Sequence, residues 1–314
     1  MSKKKVLITG ANGLVGAAFK DFFLQEEYPE FSFVFVDRSI SDLTDGKDVD
    51  YMFWSYRPEM VIHCAARVGG IGRNINSPAQ QFTDNILMNT HVVDQARKHK
   101  IKKLIAFSSV CAFPGDAKVL KEDNLHDGPP FPAHWSYAHS KRMVDVQIEA
   151  YRKQYEVDYC SVILGNVIGI NDNYDLENGH VMPSLIHKCF MAKKENKPFE
   201  VWGNGEPKRE FIYATDVAKI CLELLLLDKP LPPRVIVSGK EITIRQLVEK
   251  ICKIMDYYNV KWDESKLNGQ MSRPTDVSLL MKTFPHFQFT DLDEAIEASV
   301  EYFVHHYPNC RGVK

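Results

Sequence analysis

A glycine-spaced turn directly after the first apolar run restricts the fold more than any other feature of the chain. The run is Val6–Thr9, and the turn that follows reads Gly10-Ala11-Asn12-Gly13-Leu14-Val15-Gly16 before an amphipathic stretch begins. Gly10 permits a tight turn, Gly13 lets backbone approach a pyrophosphate, and Gly16 allows a helix to pack closely on the strand. A helix N-terminus also supplies N–H groups for an anion, so the turn predicts a dinucleotide-binding βαβ unit.

Short apolar runs alternate with longer amphipathic stretches through the first half of the chain. Strands are predicted at 6–9, 33–36, 60–64, 104–108 and 159–164, and helices at about 15–26, 78–99 and 136–155. Apolar strand runs that are each followed by a helix are typical of a parallel sheet covered on both faces. The pattern predicts an α/β fold with a Rossmann-type doubly wound parallel sheet.

The pattern changes after Asn166, where Gly, Asn and Pro residues mark loops that interrupt the sheet. Helices are predicted at about 183–194, 215–227, 243–257 and 291–306, with a short extended piece at 234–238. We therefore expect a Rossmann domain formed by residues 1–165 and about 210–238. A smaller C-terminal α/β domain, formed by residues 166–209 and 239–314, is expected to bind the substrate.

Charge and cysteine content argue against several classes of function. The 314 residues carry a formal net charge of −2, which gives no field to attract nucleic acid or an anionic membrane. The seven cysteines are scattered and form no CxxC pair, which argues against a disulfide framework and against a zinc site. No secretory signal and no stretch of roughly 18 apolar residues is found. We expect a cytoplasmic protein without metal, nucleic-acid or membrane partners.

Residues near the end of the second predicted strand bear on the choice of cofactor. An acid at Asp37 would bond a ribose 2′-hydroxyl and favour NAD, whereas Arg38 could pair with a 2′-phosphate and favour NADP. The two residues thus favour different cofactors, and both residue types would also suit a solvated strand end. Asp42-Leu43 is predicted to meet the adenine, and Ala65-Ala66 to leave room for the cofactor at the sheet edge.

A tyrosine and a lysine stand four residues apart on a predicted helix. Tyr137 and Lys141 therefore project from one face, and we expect the ammonium to lower the pKa of Tyr137 from about 10 and to hold a nicotinamide ribose. Alone, this spacing would also suit an ordinary exposed helix face. Ser109, however, follows the fourth predicted strand, at the edge where open α/β sheets bind ligands. The three side chains together predict proton transfer to a carbonyl oxygen during hydride transfer.

Longer motifs connect these pieces to a known family. They are Ala65-Ala66-Arg67-Val68-Gly69-Gly70-Ile71, Ser109-Val110-Cys111-Ala112-Phe113-Pro114, Asn178-Gly179-His180-Val181-Met182-Pro183, and Val201-Trp202-Gly203 leading to Arg209-Glu210-Phe211-Ile212-Tyr213. With them the chain resembles the extended short-chain dehydrogenases/reductases, and within these the GDP-L-fucose synthases, over nearly its whole length. The resemblance implies NADP(H) as cofactor, a GDP-sugar substrate, and a homodimer that pairs helices such as those at 78–99 and 136–155.

The resemblance also implies a second acid/base pair. Members of that family epimerise C3 and C5 of GDP-4-dehydro-6-deoxy-D-mannose before they reduce C4 to give GDP-L-fucose. Cys111 and His180 match the positions that do this: a thiolate removes a carbon-bound proton that the C4 ketone acidifies, and an imidazolium returns one. Taken without the family, Cys111 is more often a small buried hydrophobe and His180 a capping or loop residue.

The remaining ligand contacts are likewise implied by the resemblance. Lys188 and Arg209 are expected to meet the diphosphate, and Trp202 to lie near the base or sugar. The set expected beside the cofactor adds Leu164, Asn166, Val167 and His180, and the set expected beside the substrate adds Ser109 and Asn166.

Two other functions remain open at this point. One is another NAD(P)-dependent sugar-nucleotide epimerase or reductase, such as a 4-epimerase with tightly held NAD. The other is a cofactor-binding regulatory protein without turnover, against which the retention of Ser109, Tyr137 and Lys141 argues. Val110-Cys111 stands where a dehydratase of this fold would carry an Asp-Glu pair, and Gly169–Asn173 replaces a segment where Gly-Pro is usual, which could reshape the pocket floor.

Overall fold

The computed structural model describes residues 3–25, 28–69, 76–266 and 271–314. In the described part, six parallel strands form the main sheet in the order β2-β1-β3-β4-β5-β9. They are β1 Lys4–Thr9, β2 Phe31–Val36, β3 Met60–His63, β4 Lys103–Ser109, β5 Asp158–Leu164 and β9 Arg234–Val237. The expected Rossmann-type sheet is confirmed.

Alternate side chains of each strand face two layers of helices. Val6 and Ile8 share one buried cluster with helices α1 and α6, whereas Leu7 shares another with α2, α3 and α4. These helices are α1 Leu14–Gln25, α2 Gly46–Tyr56, α3 Pro78–Lys98, α4 Trp135–Tyr155 and α6 Ala214–Leu226. Burial of apolar side chains on both faces stabilises the sheet and leaves its carboxyl edge to carry the site.

A separate buried cluster forms around helices α5, α7 and α9. Their bounds are α5 Val181–Glu195, α7 Ile244–Met255 and α9 Leu292–His306, and the short helix α8 spans Ser278–Thr283. Two small sheets border the cluster. One has the strand order β10-β8-β6 and consists of β6 Asn166–Ile168, β8 Lys208–Tyr213 and β10 Lys240–Thr243. The other pairs β7 Phe199–Trp202 with β11 Val260–Asp263. None of the described helices is both long and apolar enough to cross a membrane.

The predicted helices and strands lie within two residues of those observed, but several elements were missed. Helix α2 is one of the elements that were missed; Asp45 is its N-cap residue, and the Asp45 side chain accepts the N–H of Lys47 at 2.8 Å. The strands of the small sheets were also missed, since they pair with partners far away in the chain. The predicted piece at 234–238 belongs to the main sheet as β9. Residue 26 of the first predicted helix, and Gly70 and Ile71 of the quoted motif, lie outside the described residues.

Candidate active site

The glycine-spaced turn forms the loop between β1 and α1. Gly10 has a φ of +68°, and a Cβ on it would lie 2.7 Å from the backbone of Ala65. A Cβ on Gly16 would lie 2.2 Å from the main-chain oxygen of Gly10, which also accepts the N–H of Gly13 at 2.9 Å. Helix α1 begins at Leu14, directly after this loop. A glycine-lined loop that ends in a helix N-terminus fits the pyrophosphate of a dinucleotide.

An acidic residue and a basic residue, Asp37 and Arg38, follow the end of β2 directly. The Asp37 carboxylate accepts hydrogen bonds from the N–H of Ser39 at 2.8 Å and from the Ser39 hydroxyl at 2.6 Å. It also accepts a hydrogen bond from Nδ2 of Asn12. The bond from the Ser39 hydroxyl is the main cause that holds the pKa of Asp37 below its ordinary value. Bonds from Thr44, and then the charge of Arg38, lower the pKa of Asp42. The Asp37 carboxylate is thus already engaged, while Arg38 is exposed.

A buried network supports the backbone at Ala65, opposite the glycine loop. The Ala65 N–H donates to the Thr9 hydroxyl at 3.3 Å, and that hydroxyl pairs with Nδ1 of His63 at 2.7 Å. Nε2 of His63 lies 3.1 Å from Oδ1 of Asn89. Burial, aided by the charge of Lys141, lowers the pKa of His63 to about 3, so the ring is neutral at pH 7. The neutral ring ties the ends of β1 and β3 to helix α3.

Ser109, Tyr137 and Lys141 converge where β4 ends and α4 begins. Lys141 is buried, and its Nζ donates to the main-chain oxygen of Phe107 at 2.9 Å while lying 6.0 Å from the centre of the Tyr137 ring. The main-chain oxygen of Lys141 accepts the Ser108 hydroxyl at 3.0 Å, which fixes α4 against β4. Ser109 lies close enough to the Tyr137 phenol to lower its pKa. The structure therefore brings the three predicted side chains together.

Burial dominates the electrostatics of this group. It raises the pKa of Tyr137 above its ordinary value, Cys111 adds to the rise, and Ser109 opposes it. The expected lowering of the Tyr137 pKa by Lys141 is therefore wrong, because the phenol is desolvated and the ammonium donates to Phe107. The same desolvation lowers the pKa of Lys141 to about 8. A phenol that stays protonated at neutral pH suits a proton donor.

Cys111 lies in the 3₁₀ turn Val110–Ala112, which directly follows β4. Its N–H donates to the Ser109 hydroxyl oxygen at 3.2 Å, and the residue is partly exposed. Burial raises the pKa of the Cys111 thiol, whereas Ser109 and then the charges of Arg273 and Arg209 lower it. The thiol thus lies in one region with Ser109, Tyr137 and two guanidinium groups.

His180 is the N-cap residue of α5 and is exposed. Asp172 in the preceding loop is 2% exposed; its Oδ1 accepts the N–H of Asn173 at 2.7 Å, and its Oδ2 has no donor among the described residues. Burial raises the pKa of Asp172, and the charge of His180 is the first of the opposing causes. The imidazole is thereby paired electrostatically with a buried carboxyl group that sequence reasoning had not singled out.

A second region pairs cations with aromatic rings. Nζ of Lys188, on α5, lies 4.6 Å from the ring centre of Trp202 at the end of β7. Trp202 is 60% exposed, and partial burial lowers the pKa of Lys188. Arg245, in the first turn of α7, stacks over Trp262 of the adjacent strand β11 at 4.5 Å. An exposed indole with an adjacent ammonium suits the ring and the phosphates of a nucleotide.

Comparison with known proteins assigns the chain to a family. The pattern of the NAD dependent epimerase/dehydratase family matches residues 6–239. The chain belongs to this family. A GDP-L-fucose synthase of Dictyostelium discoideum is 34% identical, covering 99% of this chain and 98% of the relative. A GDP-L-colitose synthase of Yersinia pseudotuberculosis is 30% identical over 97% and 99%. A GDP-L-fucose synthetase from Naegleria fowleri, solved bound to NADP, superposes with a TM-score of 0.93 at 31% identity over 99% and 96%.

In this member of the epimerase/dehydratase family, residues 271–277 also border the site. The sequence analysis did not predict that this segment would lie there. Arg273 donates from Nη2 to the main-chain oxygen of Pro114 at 2.7 Å, across 159 positions of sequence. Burial, followed by the charges of Arg273 and Arg209, lowers the pKa of His134 at the start of α4. The only cue in the sequence was the Arg273-Pro274 pair between two predicted helices, and that pair does not indicate which residues Arg273 contacts.

The other residues predicted to bind ligand differ in how much of the side chain is free. Asn166 is exposed, and its Nδ2 donates to the main-chain oxygen of Glu210 at 2.8 Å. The side chains of five others are taken up by core packing, so their main chain is the part best placed to meet a ligand: Leu14, Val15, Leu43, Leu164 and Val167.

Proposed function

We propose that this protein is a GDP-L-fucose synthase. It epimerises C3 and C5 of GDP-4-dehydro-6-deoxy-D-mannose and then reduces C4 with NADPH, giving GDP-L-fucose. The observation that carries the proposal is the convergence of Ser109, Cys111, Tyr137 and Lys141 where β4 meets α4. The named relatives, which match almost the full length of the chain, support it.

Epimerisation requires a base and an acid that work on opposite faces of the sugar. The Cys111 thiolate takes the proton from C3 or C5: the C–H bond breaks, an S–H bond forms, and the electron pair moves into the C4 carbonyl as an enolate. The hydroxyls of Ser109 and Tyr137 donate to the enolate oxygen. His180 then delivers a proton to the other face of the same carbon, with the buried Asp172 carboxyl group nearby.

Reduction at C4 uses the same hydroxyls in a different role. When bound, NADPH supplies the hydride that C4 receives. Tyr137 gives its proton to the C4 oxygen, Ser109 donates a hydrogen bond to that oxygen, and the Lys141 ammonium stabilises the phenolate that remains. The glycine loop holds the pyrophosphate and Arg38 the 2′-phosphate.

We also propose how the chain divides its two ligands. Residues 1–165 with 210–238 bind the cofactor, and residues 166–209 with 239–314 bind the sugar nucleotide. In the second part Lys188 and Arg209 meet the diphosphate and Trp202 stacks on the base or sugar, which the cation–π pair at 4.6 Å supports.

Assembly and location form two further proposals. A homodimer that pairs α3 and α4 is supported by apolar side chains exposed on α4, Met143 and Val146. Light scattering should then give about twice the 36.0 kDa of one chain. A cytoplasmic location is supported by seven cysteines that are all free, and cell fractionation tests it.

The deciding experiment incubates the purified enzyme with GDP-4-dehydro-6-deoxy-D-mannose and either NADPH or NADH, and follows both absorbance and the NMR spectrum of the sugar. GDP-L-fucose formed with NADPH supports the proposal. The alternative, another sugar-nucleotide epimerase or reductase, has support in the relative named GDP-L-colitose synthase, which is 30% identical. Absence of turnover on this substrate, together with reduction of another GDP-ketosugar, would establish that alternative.

A further inference from the structure

A glutamate beside the site accepts hydrogen bonds from neutral groups alone in the described structure. Glu210, on β8, accepts the N–H of Thr275 at 2.9 Å and the hydroxyl of Thr275 at 2.6 Å. The Ser238 hydroxyl donates to it at 2.7 Å. The carboxylate of Glu210 therefore ties strand β8, the end of β9 and the segment 271–277 together. Because Glu210 follows Arg209 directly and Thr275 lies two residues after Arg273, this contact links the parts of the backbone that carry both arginines.

The same segment is fixed to the loop that follows Cys111. Pro274 accepts the N–H of Leu120 at 2.9 Å, and Leu120 accepts the N–H of Asp276 at 2.8 Å. Arg273 donates to Pro114 at 2.7 Å. The segment thus spans from Glu210 to the turn that carries the thiol.

The charges of two cations act on the same groups in this region. The charges of Arg209 and Arg273 both act on Cys111 and on His134, and after desolvation and Cys111 the charge of Arg273 also acts on Arg209. Like charges repel, so contacts that fix the backbone of both residues help to keep their partly buried guanidinium groups in one region. The Glu210 tether supplies such contacts to both.

We infer that Glu210 is a positioning residue, which holds Arg209 and Arg273 in the region of Cys111, where their charges offset burial and favour the thiolate that the proposed epimerisation needs. The inference rests on the proposed role of Cys111 in the epimerisation. It makes the region around Cys111 cationic before any substrate binds.

The two effects of removing Glu210 have opposite signs, which makes the role testable. Loss of a negative charge near Cys111 would by itself favour the thiolate and lower its pKa. Loss of the tether would let the guanidinium groups separate and would raise it. Glu210→Ala therefore distinguishes a positioning role from a purely electrostatic one.

The experiment follows alkylation of Cys111 by iodoacetamide in the full-length enzyme against pH, read by peptide mass spectrometry. Glu210→Ala should raise the midpoint by about one pH unit and slow alkylation at neutral pH about tenfold. Glu210→Gln, whose amide can still bond Thr275 and Ser238, should stay near wild type. An unchanged or lowered midpoint in Glu210→Ala overturns the inference.

Arg273→Gln guards against misfolding of the glutamate variants, because the amide still offers a donor to Pro114 while the charge is lost. It should slow alkylation of Cys111 as much as Glu210→Ala, and an unchanged rate overturns the inference. The groups that face Cys111 are Ser109, Tyr137, Arg209 and Arg273, with His134 beyond the arginines.

His134→Gln is the matched control, since it removes a titrating group and should leave the midpoint in place. A midpoint that moves with His134→Gln as far as with Glu210→Ala overturns the inference. Because alkylation needs no substrate, the result is independent of whether GDP-L-fucose is formed.

Discussion

The ammonium nitrogen of Lys141 lies 6.0 Å from the centre of the Tyr137 ring and donates to the main-chain oxygen of Phe107, not to the phenol. Both side chains project from one face of α4, against the end of β4. The relationship leaves Tyr137 as a protonated, desolvated hydroxyl with a cation close enough to stabilise the phenolate once the proton has left. Proton donation to a carbonyl oxygen needs that combination.

Replacing Tyr137 with Phe should reduce NADPH oxidation by about 10²- to 10⁴-fold, because the proton donor is lost while the cofactor surface is kept. Steady-state absorbance gives the rate, and fluorescence titration should show cofactor affinity within about twofold of wild type. Tyr151→Phe is the matched control: Tyr151 lies on the same helix and bonds Asp94 at 3.1 Å, away from the site. Unchanged turnover in Tyr137→Phe would remove the phenol from the mechanism.

Replacing Lys141 with Met should stabilise the fold at neutral pH while abolishing turnover. Burial lowers the Lys141 pKa from 10.5 to about 8, which costs about 3 kcal/mol, and loss of the bond to Phe107 offsets about 1 kcal/mol. The unfolded chain binds more protons between about pH 8 and 10.5, so the cost is full below pH 8 and fades as the pH rises through that window. Urea unfolding at about pH 7 and about pH 10 should show the gain shrinking, and a pH-independent gain would contradict the assignment.

Replacing Cys111 with Ser should impair epimerisation more than reduction, because a hydroxyl is a far weaker base than a thiolate. The product should be reduced at C4 with C3 and C5 unaltered, and in D₂O it should carry little deuterium at those carbons. NMR of the isolated sugar nucleotide measures both. GDP-L-fucose formed at the wild-type rate would exclude Cys111 as the base.

Replacing Arg38 with Ala should weaken NADPH binding about tenfold and leave NADH binding unchanged, because one charge-assisted bond to the 2′-phosphate is lost. The exposed guanidinium beside an already engaged Asp37 motivates this expectation. Calorimetric titration with each nucleotide provides the measurement. Arg57→Ala removes a cation at the end of α2 and serves as the comparison. Equal losses for both nucleotides would show that Arg38 does not read the phosphate.

Local patterns in the chain were sufficient to predict the frame of the site. The glycine spacing from Gly10 to Gly16, the apolar strand runs and the four-residue step from Tyr137 to Lys141 each involve neighbours along the chain. Helical and strand periodicities depend on such neighbours, so the parallel sheet, most of its helices and the grouping of Ser109, Tyr137 and Lys141 could be expected in advance.

Only the tertiary structure decided the environment of those groups. The pKa of Tyr137 is raised, contrary to the sequence-based expectation, because desolvation depends on everything packed around the phenol. Arg273 reaches the loop after Cys111 across 159 positions, and Glu210 binds Thr275 across 65. Burial and long-range charge are properties of segments that meet in space, and no periodicity within one segment records them.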